Sequence, residues 1–169
     1  MKPPWTTTVA TVALSLTLAG CFTQMRGPAA RTMWFREEEY DPYRVPGDAS
    51  IEGQAFLKTR GGDVKYGAGN EVVLNPATSY SSEWYDRSVV RGEALEAPDL
   101  RATSFVRTMI ADGEGRFRFE NLTPGDYYLA CRIVWEVPGS AFSQNYTGGI
   151  AHAEAHVDSG KTTKVILTR

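Results

Sequence analysis

Beyond Ser50, apolar residues alternate with polar ones in short runs that are separated by Gly, Pro, Asp and Asn. This pattern is typical of β-strands joined by turns, as in a β-sandwich or a β-barrel. It predicts seven strands, at residues 50–59, 71–74, 105–110, 115–119, 126–136, 149–157 and 161–167. Turns are expected at Asp112-Gly113, at Thr123-Pro124-Gly125 and at Asp158-Ser159-Gly160, the last as a tight hairpin.

The strand at residues 126–136 carries the clearest core face. Its odd-numbered residues are apolar, and successive side chains of a strand point to opposite faces of the sheet. We therefore expect one face to lie in the core, formed by Tyr127, Leu129, Cys131, Ile133 and Trp135. Cys131 is in the middle of this face, which indicates a core residue and not a nucleophile.

A long segment, residues 77–103, separates the second predicted strand from the third. Serine and threonine residues that can cap a helix precede Tyr80 and Trp84, which have helical spacing, so the segment predicts a short helix. Two interpretations of its aromatic rings stay open. Tyr80, Trp84 and Tyr85 either pack onto the domain or bind a ligand such as a sugar, in the second case with Asn145 and Tyr146.

Residues 21–48 are polar, contain several Pro and Gly residues and lack a sustained hydrophobic period, so they are interpreted as a tether. The run Met33-Trp34-Phe35, followed closely by Tyr40, is unusual for a spacer. These rings either fold back onto the domain as a clasp or contact membrane headgroups or a partner, where amphipathic rings are favoured.

The stretch from Asp112-Gly-Glu-Gly115 through Phe117 and Phe119 to Leu122-Thr-Pro124-Gly125-Asp-Tyr127-Tyr-Leu129 resembles the signature of the carboxypeptidase regulatory-like domain. The resemblance implies an all-β fold, a seven-stranded Greek-key β-sandwich related in shape to transthyretin, over residues 49–169, with residues 77–103 as an insertion. In that family the module often accompanies a peptidase or a membrane transporter. It specifies the fold better than the function.

The N-terminus has the layout of a secretory signal, with Lys2 followed by an uncharged apolar stretch at residues 6–18. The stretch ends in Leu18-Ala19-Gly20-Cys21, which resembles the lipobox of bacterial lipoproteins. The resemblance implies that residues 1–20 are a signal peptide and that Cys21 receives the lipid. A retained membrane helix is disfavoured, because a span needs about 20 mostly apolar residues. We expect a lipid-anchored envelope protein, at the outer membrane if the organism has two membranes.

Composition is consistent with one domain on an anchor. Without residues 1–20, which include Lys2, the chain has 17 basic and 20 acidic residues. The resulting net charge of −3 does not suggest nucleic-acid binding. The chain has two cysteines, Cys21 and Cys131. If the first carries lipid, no intrachain disulfide can form, so the fold must depend on apolar burial.

The run His152-Ala-Glu154-Ala-His156 is a weak metal candidate. In a regular strand its two histidines would stand about 13 Å apart, too far to share one zinc ion.

Sequence motifs of common enzymes, such as a Gly-rich phosphate loop or a Gly-x-Ser-x-Gly elbow, are missing from the chain. We therefore expect no cofactor and no catalysis. The favoured function is a non-catalytic interaction or structural module that contacts an envelope protein or glycan, and the alternative is a carbohydrate-binding module.

The anchoring hypothesis predicts the behaviour of a Cys21→Ala variant in the native host. Membrane fractionation with crosslinking should recover the intact chain in the membrane with an envelope partner, and the variant should be released or left unprocessed, because it lacks the lipidated thiol. Recovery of both forms in the soluble fraction would contradict the lipoprotein assignment.

Overall fold

Alternating apolar residues form eight strands in the computed structural model, which describes residues 27–137 and 145–169. The strands are β1 (Ala49–Lys58), β2 (Val64–Tyr66), β3 (Glu71–Pro76), β4 (Arg107–Ile110), β5 (Arg116–Leu122), β6 (Gly125–Val137), β7 (Asn145–Val157) and β8 (Thr162–Leu167). All seven predicted strands are present, and the short β2 is additional. The predicted signal peptide and lipid-bearing Cys21 lie outside the described residues.

Two sheets pack against each other. The first has the order β2-β1-β5, with β8 pairing in parallel along the other side of β1. The second has the order β4-β3-β6-β7, and all of its pairs are antiparallel. The prediction of an all-β sandwich is therefore confirmed.

The core lies between the sheets and is apolar. Ile51, Leu74, Leu129 and Ile133 are all at most 2% exposed, and the predicted core face of β6 is buried except for Trp135, which is partly exposed. Gly53 faces the same layer. A Cβ atom there would lie 2.4 Å from the carbonyl oxygen of Val165 and 2.7 Å from the ring of Phe117, so only glycine fits.

The prediction of a hairpin at Asp158-Ser159-Gly160 is wrong. The strands that this turn joins lie in different sheets, since β7 pairs with β6 and β8 pairs with β1. The turn is tight, with Gly160 at φ +68°. The carboxylate of Asp48 accepts hydrogen bonds from the backbone N–H of Gly160 at 2.8 Å and from the Ser159 hydroxyl at 2.9 Å. These bonds hold the turn at the start of β1 and direct the chain across the sandwich.

The predicted short helix in residues 77–103 is confirmed. It begins as α2 (Ser79–Glu83), where Thr78 caps the N-terminus in a capping box with Ser81, and continues as a π-helix over Trp84–Val90. The other helices are α1 (Glu37–Tyr40), a 3-10 helix (Asp41–Arg44) and α3 (Leu100–Thr103). Among the described residues, none of the helices has the length and apolar character needed to cross a membrane.

Residues 29–44, here called the N-terminal clasp, pack against the insertion. Ala29 forms a parallel bridge with Leu95. Tyr40 is fully buried and stacks on Phe35 with ring centroids 4.9 Å apart. Trp34, by contrast, is 73% exposed. The clasp interpretation therefore describes most of this segment, whereas the boundary of the domain at residue 48 stays a prediction.

The burial pattern of β6 predicts a large difference between two substitutions on one strand. Leu129→Ala should lower the free energy of unfolding by about 2–5 kcal/mol, because it leaves a cavity in the core. Val134→Ala, at a side chain that is 46% exposed, is the matched control and should change it by about 0.5 kcal/mol or less. Denaturant unfolding measures both values, and equal losses would contradict the assigned core face.

Candidate functional site

A cleft of about 610 Å3 lies between the insertion and the outer face of the second sheet. We call it the insertion cleft. The N-terminal clasp, β3 and the helical segment each contribute to its walls. Its lining includes the side chains of Arg31, Tyr40, Asn75, Tyr80 and Trp84.

Helical spacing decides which insertion rings reach the cleft. Tyr80 and Trp84 are four residues apart, so they lie on one side of the helical segment, and both line the cleft. Tyr85 is turned toward the sheet, where its ring stacks on Tyr128 at 4.3 Å. Its hydroxyl lies 2.9 Å from Nδ1 of His152. Burial, together with the nearby charge of Glu154, raises the pKa of Tyr85 to about 12, so the phenol stays protonated and structural.

Arg31 reaches the cleft from the clasp. Its guanidinium carbon lies 4.9 Å from the ring centroid of Tyr80, a cation–π contact. Its Nε donates a hydrogen bond of 3.1 Å to the backbone carbonyl of Glu96. The Nη1 atom is buried and has no hydrogen-bond partner within the described residues.

Two further cleft residues carry unsatisfied polar atoms. The Oδ1 atom of Asn75, on the outer face of β3, is buried without a partner in the described structure. The Tyr40 hydroxyl is also buried and makes no hydrogen bond of acceptable geometry there. Burial raises the pKa of Tyr40, and the neighbouring hydroxyls of Thr78 and Ser81 act in the opposite direction.

The buried polar atoms without hydrogen-bond partners are grouped around the insertion cleft. In the part of the chain that the structure describes, the three buried side-chain N or O atoms without a partner all belong to residues that line the insertion cleft. Each such atom costs about 1–3 kcal/mol, and native proteins contain few of them. Their concentration around one cavity indicates a place where water or a ligand supplies the missing hydrogen bonds.

Glu83 joins the clasp to the insertion. Its buried carboxylate accepts hydrogen bonds from the backbone N–H groups of Thr32 at 2.8 Å and Met33 at 3.1 Å, and from Arg87 at 2.8 Å. Burial acts to raise the pKa of this carboxyl, but the hydrogen bonds from Thr32, Met33 and Arg87 outweigh it and lower the pKa to about 2. The charged carboxylate therefore fixes the segment next to Arg31 at neutral pH.

A larger and more open groove, of about 770 Å3, lies on the first sheet. Its charged side chains pair with each other. Arg118 contacts Glu52 at 2.7 Å, and Lys164 contacts the same carboxylate at 3.4 Å. This groove therefore lacks the unsatisfied polar atoms that distinguish the insertion cleft in the described structure.

The remaining predicted ligand residues do not meet at the cleft. Asn145 and Tyr146 begin β7, where they pair with Val137 and Glu136 of β6, and neither lines the insertion cleft. Of the five candidates, the structure thus brings together Tyr80 and Trp84 at the cleft, whereas Tyr85 packs on Tyr128 and does not line it.

The weak metal candidates of β7 have separate environments. His152 contacts Tyr85, whereas His156 lies 2.6 Å from the carboxylate of Asp126. Hydrogen bonding to Asp126 raises the pKa of His156. Among the described residues there is no group of three His, Cys, Asp or Glu side chains that could hold a metal ion.

Sequence reasoning missed Arg31, Asn75 and Glu83. Arg31 lies in the predicted tether, and Asn75 lies just beyond the predicted strand at residues 71–74, directly before Pro76. The cluster of aromatic residues beginning at Met33 was the one signal that this region has a structural role. Nothing in the local pattern placed a cation beside Tyr80.

The chain matches no family model, and no curated protein matches it. It is similar to the crystal structure of a proposed carbohydrate binding protein from Pseudomonas aeruginosa, with 27% identity and a TM-score of 0.71 over 80% of this chain and 97% of that one. The carboxypeptidase regulatory-like assignment stays a prediction.

Two other structures are more distant. The minor pilin GBS52 of Streptococcus agalactiae is 17% identical, with a TM-score of 0.39 over 73% of this chain and 44% of that one. A 9R-lipoxygenase from Cyanothece is 15% identical, with a TM-score of 0.31 over 79% of this chain and 19% of that one. Similarity at this level carries no argument about function.

The contacts of Glu83 predict a pH-dependent loss of stability. Glu83→Gln should lower the free energy of unfolding by about 2 kcal/mol at neutral pH, because charged hydrogen bonds become neutral ones. Since the folded-state pKa of about 2 lies below the ordinary value of 4.5, the contribution is complete above pH 4.5 and disappears as pH falls toward 2.

Denaturant unfolding between pH 7 and pH 2 measures this effect. The difference between the native chain and Glu83→Gln should shrink as the pH falls through that range. Glu38→Gln, at an exposed glutamate of α1, is the control and should leave stability unchanged throughout. A difference that stays constant down to pH 2 would contradict the proposed role of the carboxylate.

Proposed function

We propose that the chain is a carbohydrate-binding β-sandwich module and that the insertion cleft holds the sugar. The observation that carries the proposal is the concentration of unsatisfied polar atoms beside aromatic rings in one cavity. Both features are needed to bind a sugar, which is a ring with apolar C–H faces and a rim of hydroxyl groups.

The chemistry of the cleft suits a sugar on both counts. The ring of Trp84, which is partly exposed, offers apolar surface against which a sugar ring can pack, whereas Tyr80 is buried beneath Arg31. Each sugar hydroxyl both donates and accepts hydrogen bonds. Arg31 Nη1 is a donor and Asn75 Oδ1 an acceptor, so hydroxyl groups can satisfy both atoms.

The dimensions of the cleft are also suitable. A volume of about 610 Å3 falls within the range of about 300–1,000 Å3 that is typical of small-molecule sites. Because the unsatisfied atoms are shielded from solvent in the free protein, binding requires a small movement of the Arg31 or Asn75 side chain. Changes of rotamer of this kind are common when ligands bind.

The similarity to the Pseudomonas protein supports the same function. That protein is itself described as a proposed carbohydrate binding protein, and the shared fold extends over nearly its whole length. At 27% identity the comparison alone does not identify a sugar. It adds weight to a site that the geometry of the cleft already favours.

We further propose that the module is non-catalytic and is carried on a membrane by lipid at Cys21. The lipobox-like sequence Leu18-Ala19-Gly20-Cys21 supports the anchor. Arg31 follows Cys21 by ten residues, so the cleft would lie within about 35 Å of the lipid. The ligand would then be a glycan of the cell envelope, and contact with an envelope protein is the alternative.

The proposed function predicts that a sugar ligand depends on Trp84. Trp84→Ala should weaken binding by about tenfold to one hundredfold, because it removes the stacking surface of the cleft. A glycan array identifies the ligand, and isothermal titration calorimetry gives the two affinities. Trp34→Ala, at a tryptophan that is 73% exposed and outside the cleft, is the matched control.

Equal binding by the native chain and Trp84→Ala would show that a sugar, if bound, does not use the insertion cleft. The absence of any glycan ligand, combined with recovery of a protein partner by crosslinking, would replace the proposed function with the protein-contact alternative.

A further inference from the structure

We infer that the insertion cleft selects an acidic sugar, one whose ring carries a carboxylate, and that Arg31 is the residue that recognises it. This inference rests on the proposed function and specifies its ligand class. It follows from the charge of the cleft, because the guanidinium of Arg31 is cationic and part of it is buried without a partner in the described structure.

Arg31 differs from most arginines of the described chain. Arg87, Arg101 and Arg118, for example, each have a carboxylate within 3 Å. Arg31 has no carboxylate within ion-pair distance in the described residues, and its Nε bonds to the neutral backbone carbonyl of Glu96. Its charge therefore has no counterion in the described structure.

Glu83 is the buried acidic residue that contacts the clasp next to Arg31, and its charge is already compensated. Its carboxylate accepts hydrogen bonds from Thr32 and Met33, the residues that follow Arg31, and forms an ion pair with Arg87 at 2.8 Å. Glu96, which also lines the cleft, has an exposed side chain and contacts Arg31 through its backbone. Neither carboxylate accepts a hydrogen bond from the Nη1 atom of Arg31.

A carboxylate is the anion that best fits this arrangement. With Nε engaged, the guanidinium can offer its terminal nitrogens, and a carboxylate accepts hydrogen bonds from two such donors. The ring of Tyr80 lies against the guanidinium and restricts its orientation. Bonds between charged partners are stronger than those between neutral ones, so a carboxylate gains more here than a hydroxyl does.

Asn75 shows why the ligand is an acidic sugar and not a simple anion. Its Oδ1 atom is a hydrogen-bond acceptor without a partner in the described structure. A second carboxylate would be repelled there, whereas a hydroxyl group can donate to it. A sugar acid presents a carboxylate and several hydroxyl groups on one ring. It can therefore satisfy Arg31 and Asn75 together while its C–H face packs on an aromatic ring.

Titration calorimetry with oligosaccharides that differ only at C6 tests the inference. One member of the set carries a carboxylate there, one a hydroxymethyl group and one a phosphate. We expect the native chain to bind the carboxylate form about tenfold to one hundredfold more tightly than the neutral form, with an affinity that falls as salt rises. Arg31→Gln should remove this preference, and Arg60→Gln, at an exposed arginine, should keep it.

If the carboxylate and hydroxymethyl forms bind the native chain with equal affinity and Arg31→Gln changes neither affinity, the acidic-sugar inference fails and a neutral sugar site remains. A preference for the phosphate form overturns the carboxylate assignment. If no member binds, the proposed function fails with the inference. Should Arg31→Gln not fold, Arg31→Lys serves instead, since it keeps the charge and loses the planar fork.

Discussion

The carboxylate of Glu83 holds together two parts of the chain that are 50 residues apart, and the cleft depends on that contact. It accepts hydrogen bonds from two backbone N–H groups of the N-terminal clasp, which would otherwise need other partners. Arg87, from the next turn of the same helical segment, balances the charge and also donates to the carbonyl of Ala30. Together with the backbone hydrogen bonds of Ala29 to Ala94 and Glu96, this cluster holds the segment that carries Arg31 against the insertion.

The sandwich supplies a rigid platform, and the insertion and the clasp build a site on its outer face. β3 provides Asn75 at a fixed position because its other face, with Val72 and Leu74, is locked in the core. The capping box at Thr78 then starts the helix directly after the strand. Three buried polar atoms are left unsatisfied in this arrangement, at a cost in stability that is usual for functional sites.

Local patterns predicted the parts of the fold that local physics determines. Two-residue alternation identified β6 and its core face, and the spacing of Tyr80 and Trp84 placed both rings on one side of a helix. The hairpin at Asp158-Ser159-Gly160 was predicted wrongly, because a tight turn does not reveal whether the next strand stays in the same sheet. Arg31 and Asn75 could not be paired from the sequence, since tertiary contacts alone bring them to one cavity.

If a sugar occupies the insertion cleft, a heteronuclear NMR titration of the protein with a glycan ligand should move the signals of the residues that line the cleft. The largest shift changes are expected at the indole N–H of Trp84, the side-chain amide of Asn75 and the Nε–H of Arg31. Changes confined to the groove at Glu52 and Arg118, with the cleft signals unmoved, would contradict a sugar site in the cleft.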